Sequence, residues 1–208
     1  MTQKAFDLLT AEAAAIGAVL ADAQPGAFGS DTPLPGWSVR DVIGHCGAAM
    51  TMLRDGTVHG FSPVENEADV ELRRSWPIDQ VITEYLEGLD DFIAIARSAP
   101  PMLDGLARGM WIHGGDIRDG LGRDDAYGSP GVNIVVDLIG DAYDDRRLPS
   151  VAVIFDSTGP VTTLIGTNDE VISGVADVQT FVRLAYGRNP DPARYRFPGI
   201  DADDLRLK

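Results

Sequence analysis

The chain has 208 residues and a mass of 22.2 kDa, enough for one well-buried core or for a main domain with a small appended one, and its 44% hydrophobic content fits a globular protein. Its 32 acidic residues against 17 basic ones, a formal charge of −15, repel phosphate backbones and argue against a nucleic-acid partner. No apolar run approaches the roughly 20 residues of a membrane helix, the single cysteine, Cys46, excludes an internal disulfide, and the first residues lack the basic-then-apolar layout of a secretory signal, so a cytoplasmic protein is expected.

Residues 3–23 read as a helix, because Phe6, Leu9, Ala13, Ile16 and Leu20 make one apolar stripe. A loop rich in Pro, Gly and Asp follows. Ser38 with Asp41 three positions later resembles a capping box, so a second helix is expected to start at Val39. Its inward face is Val39, Val42, Ile43, Cys46, Ala49, Met50 and Leu53, with His45 at the edge. The acidic stretch 65–74, ENEADVELRR, reads as a solvated loop or a polar first turn. Ile78, Ile82, Tyr85, Leu89, Phe92 and Ala96 then mark a third helix, ended by Pro100 and Pro101.

A fourth helix carries Leu103, Leu106, Met110, His113, Ile117 and Leu121, so that His113 stands where the rhythm calls for a core hydrophobe. It stops near Gly120 and Gly122. Residues 130–145 open with Pro130 and read as a fifth, short helix. From Leu148 the texture becomes β-branched: SVAVIFDST and PVTTLIG, separated by a Gly-Pro turn, and EVISGV suggest a small antiparallel meander. A helix with Val178, Phe181, Val182 and Ala185 on one side and Gly187 as its stop follows, then one more possible strand in RYRFPGI. The fold class is thus α+β, with a helical bundle over 1–147 and a small α+β module over 148–208.

No Walker A loop, strand-borne GxGxxG, GxSxG elbow or HExxH occurs. What remains is the pair His45 and His113 on different helices, in the manner of bundle metal sites built from facing helices, with imidazole a good ligand for zinc and other first-row divalent ions. Two histidines are too few for a catalytic zinc, which takes three protein ligands and an open position. Asp116, three residues after His113 on the same face, can supply a carboxylate, or can equally cap the helix or pair with Arg108, Arg118 or Arg123. His59 lies in the loop DGTVHGFSP, too exposed for that site. Trp37 and Trp111 read as core aromatics and Cys46 as a small buried hydrophobe.

LPGWSVRDVIGHCGA (34–48) resembles the first signature of the mycothiol-dependent maleylpyruvate isomerase family, within the DinB/YfiT-like superfamily of metal-binding four-helix bundles. WIHGGDIRDGLG (111–122) is similar to that family's second signature, and VISGVADVQTFVRLAYGR (171–188) to its small sterol-carrier-like C-terminal domain. The resemblance implies an up-down DinB-like bundle, a divalent metal, usually zinc, held by His45 and His113, and mycothiol as thiol cosubstrate. The family's third ligand is commonly a Glu four residues before the second histidine. Here that residue is Gly109, leaving Asp116 or a water to complete the set.

Three functions follow as expectations. The first is a metal-assisted, mycothiol-dependent isomerase or thiol transferase acting on a small electrophilic, unsaturated metabolite. The second is a catalytically silent small-molecule-binding or stress-response bundle, and the third a metal-free enzyme in which His45 or His113 is the general base. Monomer and homodimer are both compatible with the sequence.

Overall fold

The computed structural model describes residues 1–58, 60–98, 100, 103–155 and 162–207. His59, Pro101 and the Gly-Pro turn at 159–160, each given a role above, lie outside the described residues. The chain divides into two compact units, Met1–Pro130 and Gly131–Lys208.

The first unit is built from α1 (Gln3–Asp22), α2 (Val39–Asp55), α3 (Pro63–Arg74), α4 (Ile78–Ala96) and α5 (Asp104–Gly120). Its core holds Leu9, Ile16, Val42, Ile43, Cys46, Met50, Tyr85, Leu89, Phe92 and Ile117, the stripes expected from spacing. The stretch read as an acidic loop is α3, a correction with a clear local cause. Ser62 accepts from the Glu65 amide while Glu65 Oε2 accepts from the Ser62 amide at 3.0 Å, with Pro63 in the first turn. The helix buries only Val70 and Arg73. Arg73 is tied to Glu84 of α4 through Nε and Nη2 at 2.5 and 2.6 Å, and its guanidinium lies 5.2 Å over the Trp76 ring.

The start of α2 is the expected capping box: the Ser38 amide donates to Asp41 Oδ2 at 3.0 Å and Arg74 Nε to Asp41 Oδ1 at 3.0 Å. Burial works to raise the Asp41 carboxyl, but the bonds from Ser38 and Arg74 prevail and hold it below its ordinary value of 3.8. A group with a depressed folded-state value contributes stability above its unfolded value and loses it as pH falls through the folded one. Asp41→Ala is therefore expected to cost about 1–2 kcal/mol at pH 7. Urea melts should show that gap closing at the acid end, below the ordinary carboxylate value.

The second unit contains α6 (Val132–Arg146), strands β1 (Ser150–Phe155), β2 (Thr162–Ile165) and β3 (Val171–Ala176), α7 (Val178–Ala185) and β4 (Tyr195–Arg196). The division at 130/131 places α6 with the strands, whereas the boundary expected at 147/148 left it with the bundle. Gly131, at φ 95°, sets the break just before α6, and the helix buries Val135, Leu138, Ile139 and Tyr143. The sheet order is β2-β1-β3-β4, with β1 antiparallel to β2 and parallel to β3, and β4 antiparallel to β3. The expected meander is corrected accordingly. β1, which buries Val151, Val153 and Phe155, is the most apolar run and takes an inner position, while the threonine-bearing β2 is left at the edge. The C-terminal segment is stitched back onto this unit: the Tyr143 hydroxyl donates to the Leu205 carbonyl, and the Leu207 amide donates to the Ala185 carbonyl at 2.8 Å.

Among the described residues, no helix is long and apolar enough to cross a membrane.

Candidate functional site

α2 and α5 bring the two expected histidines together. The His45 and His113 ring centroids stand 5.1 Å apart, edge to face at 83°, and the Trp37 ring lies 5.2 Å from His45 on its other side. Trp37 is thus a wall of the histidine pair as well as a packing residue, and its indole Nε1 donates to Glu67 of α3 at 2.9 Å. Burial, joined by the neighbouring His113 and Arg73, pushes His45 down to about 3. It is therefore a neutral imidazole across the physiological range, and its Nδ1, out of contact with solvent, has no hydrogen-bond partner in the protein.

Asp116 is fully buried and already engaged. Its Oδ2 faces His113 Nδ1 at 3.1 Å, and its Oδ1 accepts from the Tyr127 hydroxyl. A carboxylate can only accept, so this contact puts the proton of His113 on Nδ1 and leaves Nε2 as the basic nitrogen. Tyr127, from the loop after α5, is buried and holds the carboxylate from behind. Nothing in the Asp- and Gly-rich sequence around it marks that role.

The two glycines after His113 make this arrangement possible. A Cβ at Gly115 would collide with the Tyr127 ring, and one at Gly114 with the Glu12 carboxylate. Glu12, fully buried on α1, takes both of its hydrogen bonds from Arg118 Nη2, at 2.8 and 2.9 Å. Burial pushes the Glu12 carboxyl up to about 7, against the pull of the Arg118 guanidinium.

The histidines open onto a cavity of about 430 Å³ whose lining also includes Asn66 of α3, Phe61, Leu106 and Gly109. That volume suits a small metabolite. Neither Asn66 nor Phe61 was singled out from sequence.

The bundle matches the family described as Mycothiol maleylpyruvate isomerase N-terminal domain over residues 9–111. Over those residues the bundle is similar to the N-terminal domain of mycothiol maleylpyruvate isomerases. Two crystal structures of the mycothiol-dependent maleylpyruvate isomerase are similar over nearly the whole chain at 12% identity. One, of a histidine-to-alanine mutant, has a TM-score of 0.56 and covers 90% of this chain and 89% of its own. The other has a TM-score of 0.55 and covers 91% and 90%. At this identity the likeness is one of fold: a helical bundle with a small C-terminal sheet module. No curated protein matches the chain.

Measured against the zinc set that the resemblance implied, the donors do not fit. Among the described residues no group of three His, Cys, Asp or Glu side chains is arranged to hold a metal ion. His45 and His113 are adjacent, but Asp116, expected as the third ligand, spends its oxygens on Tyr127 and His113. It holds the His113 ring, with one contact to each of its oxygens. Gly109 lines the cavity, and a Cβ there would meet nothing within 4 Å. A glutamate at 109, one turn before His113, would stand in that space and supply the missing donor. Gly109→Glu is therefore expected to raise bound zinc from near zero to about one ion per chain after dialysis against the metal. Elemental analysis reads the change, and a variant that still holds none would show that the two imidazoles cannot converge on one ion.

Proposed function

We propose that this cavity lets a low-molecular-weight thiol, mycothiol by the likeness of the bundle, add to a small electrophilic alkene, with isomerisation or thiol transfer as the outcome. The observation that carries the reading is the Tyr127–Asp116–His113 chain, which presents an oriented, basic imidazole at the wall of an apolar cavity. A base oriented by a buried carboxylate is the recurring way to activate a hydroxyl or thiol nucleophile. His113 Nε2 takes the thiol proton, and the thiolate sulfur forms a bond to one alkene carbon while the π electrons move into the conjugated carbonyl. Rotation about the resulting single bond, followed by loss of the thiolate, gives the trans alkene. The proton then returns from His113 to the departing thiolate. For transfer, the same proton goes to the enolate carbon and the adduct leaves. Asp116 stabilises the imidazolium formed in either case, and the apolar wall keeps water from the enolate. Neutral His45 lines the same space without adding a second cation beside the imidazolium.

The reading assigns a cytoplasmic enzyme for which zinc is not needed to deprotonate the thiol, in place of the metal-assisted one expected first. Support for that choice is the donor set: two imidazoles, a glycine and an engaged carboxylate. The test is conversion of dimethyl maleate and of maleate to their trans isomers, with mycothiol present. Mycothiol-dependent turnover that survives exhaustive chelation within about twofold is expected. Turnover abolished by chelation and restored by zinc would overturn it, and complete absence of turnover would return the bundle to silent binding.

A further inference from the structure

The stretch PGWSVRDVIGH (35–45) ends on His45, and its earlier residues have a task of their own. Trp37 stands just before the N-cap of α2, where an apolar side chain ordinarily packs on the first turn of the helix. Its indole also stands beside His45, further along that helix, with the two rings 5.2 Å apart and tilted by 51°. His45 in turn meets His113 edge to face at 5.1 Å. The base of the proposed reaction is thus the last of three rings in a row, and the first of them is held from outside α2 and α5.

The holder is α3. The indole Nε1 donates to Glu67 Oε2 at 2.9 Å, a bond strengthened by the charge of its acceptor. The other carboxylate oxygen, Glu67 Oε1, takes Arg74 Nη2 at 3.0 Å. Arg74 spends its remaining two nitrogens as well, Nε on Asp41 Oδ1 at 3.0 Å and Nη1 on Glu71 Oε2 at 2.7 Å. Asp41 Oδ2 accepts from the amide and the hydroxyl of Ser38, the residue next to Trp37, at 3.0 and 2.9 Å, which closes the circuit. Glu67, Arg74 and Asp41 each have at least two partners, and a network of that kind holds a geometry that an isolated surface pair does not. The Glu67 side chain is 50% exposed, so what it contributes is its two bonds rather than packing.

We infer that Glu67 is a positioning residue for the base: it pins the Trp37 indole against His45, and through His45 it confines the His113 ring. The effect on rate rests on the thiol-addition reading, whereas the clamp rests on the contacts alone. Asp116 meets His113 at Nδ1 only, and one such contact leaves the ring able to rock about it. His45, packed against that ring and backed by a fixed indole, removes the freedom. A base displaced by rocking loses rate without losing substrate.

Two replacements separate the bond from the bulk of the side chain. Glu67→Gln keeps an oxygen that accepts from the indole N–H, and Glu67→Leu offers none. NMR of the full chain, labelled at tryptophan and histidine, reads the clamp without thiol or alkene. In the parent and in Glu67→Gln, the Trp37 indole N–H is expected to exchange slowly and the carbon-bound ring protons of His45 to be displaced by the indole ring current. In Glu67→Leu, indole exchange should quicken by about tenfold, the worth of one such bond. The His45 protons should then move toward their positions in Trp37→Leu, where no indole remains. In thiol-dependent turnover, Glu67→Leu should lower kcat by about three- to tenfold with KM for the alkene within about twofold. Glu67→Gln should restore the parental kcat. Unchanged indole exchange and unchanged His45 protons in Glu67→Leu overturn the clamp, and so does a Glu67→Gln variant that behaves like Glu67→Leu. His45 protons that move while kcat stays parental overturn the link to the base. A parent that turns over no alkene refutes the reaction, and the NMR measurements then decide the clamp by themselves.

Discussion

Arg118→Ala is expected to destabilise the bundle by about 3–5 kcal/mol, because it leaves the buried Glu12 carboxyl without its counter-charge and its hydrogen-bond donor, to stay charged unpaired or take up a proton. Glu12 is fully buried and Arg118 is 3% exposed, so water replaces nothing when one partner is removed. A change of that size should lower Tm by on the order of 10 °C for a chain of this length. Trp37, Trp76 and Trp111, the chain's three tryptophans, all lie in the first unit, so tryptophan fluorescence during denaturant unfolding reads the bundle alone. Replacing both partners together, Glu12→Leu with Arg118→Leu, removes both desolvated charges and should recover most of the loss. Arg118 Nη1 has no hydrogen-bond partner even in the intact pair, so the interior does not fully repay that charge. A single variant within 1 kcal/mol of the parent would show the pair to be reached by solvent.

The second large effect is kinetic. His113→Ala should lower thiol-dependent turnover by about 10²- to 10⁴-fold, the usual contribution of a positioned general base. The fall should appear in kcat with little change in KM for the alkene, since the imidazole acts on the thiol proton and not on the apolar body. Asp116→Asn keeps the side chain's size but offers His113 a different partner, so the imidazole can settle in the wrong tautomer. A loss in kcat approaching that of His113→Ala is expected, with a fluorescence melt close to the parent's. Stopped-flow measurement of thiolate absorbance on mixing mycothiol with each variant separates the deprotonation step from later ones. If both variants turn over at the parental rate, the base lies elsewhere.

Helix positions in this protein were legible because five apolar stripes with 3-4 spacing are long enough to override local ambiguity, and both histidines could be placed on facing helices from that rhythm alone. α3 was missed because its charge dominated the reading, although Ser62, Pro63 and Glu65 carry the same kind of start signal that located α2 at Ser38 and Asp41. That omission hid Asn66 and one wall of the cavity. Glu12 was legible in principle: it stands three residues after Leu9 and four before Ile16, on the buried stripe of α1, and an acid at a core register demands a partner. Asp116 was located on the right face, but its partners His113 and Tyr127 were not foreseen. Its choice between metal, cap and ion pair depended on Tyr127, which reaches it from a loop that no periodicity describes. The sheet's order was beyond reading from strand runs, since β3 joins β1 across an intervening strand and nothing local specifies that neighbour.

The stitching of the C-terminal segment onto the second unit has a consequence for biogenesis. Everything the bundle needs is encoded by residue 130, so it can fold on the ribosome while the rest of the chain is still being made. The sheet unit cannot do so. Its last strand pair waits for Tyr195 and Arg196, and its closing bonds for Leu205 and Leu207, so a nascent chain arrested before these have cleared the exit tunnel carries a finished bundle followed by an unpaired β3 edge. For that interval the growing polypeptide is a client for chaperones that guard strand edges, while its candidate site, complete within the bundle, is already assembled.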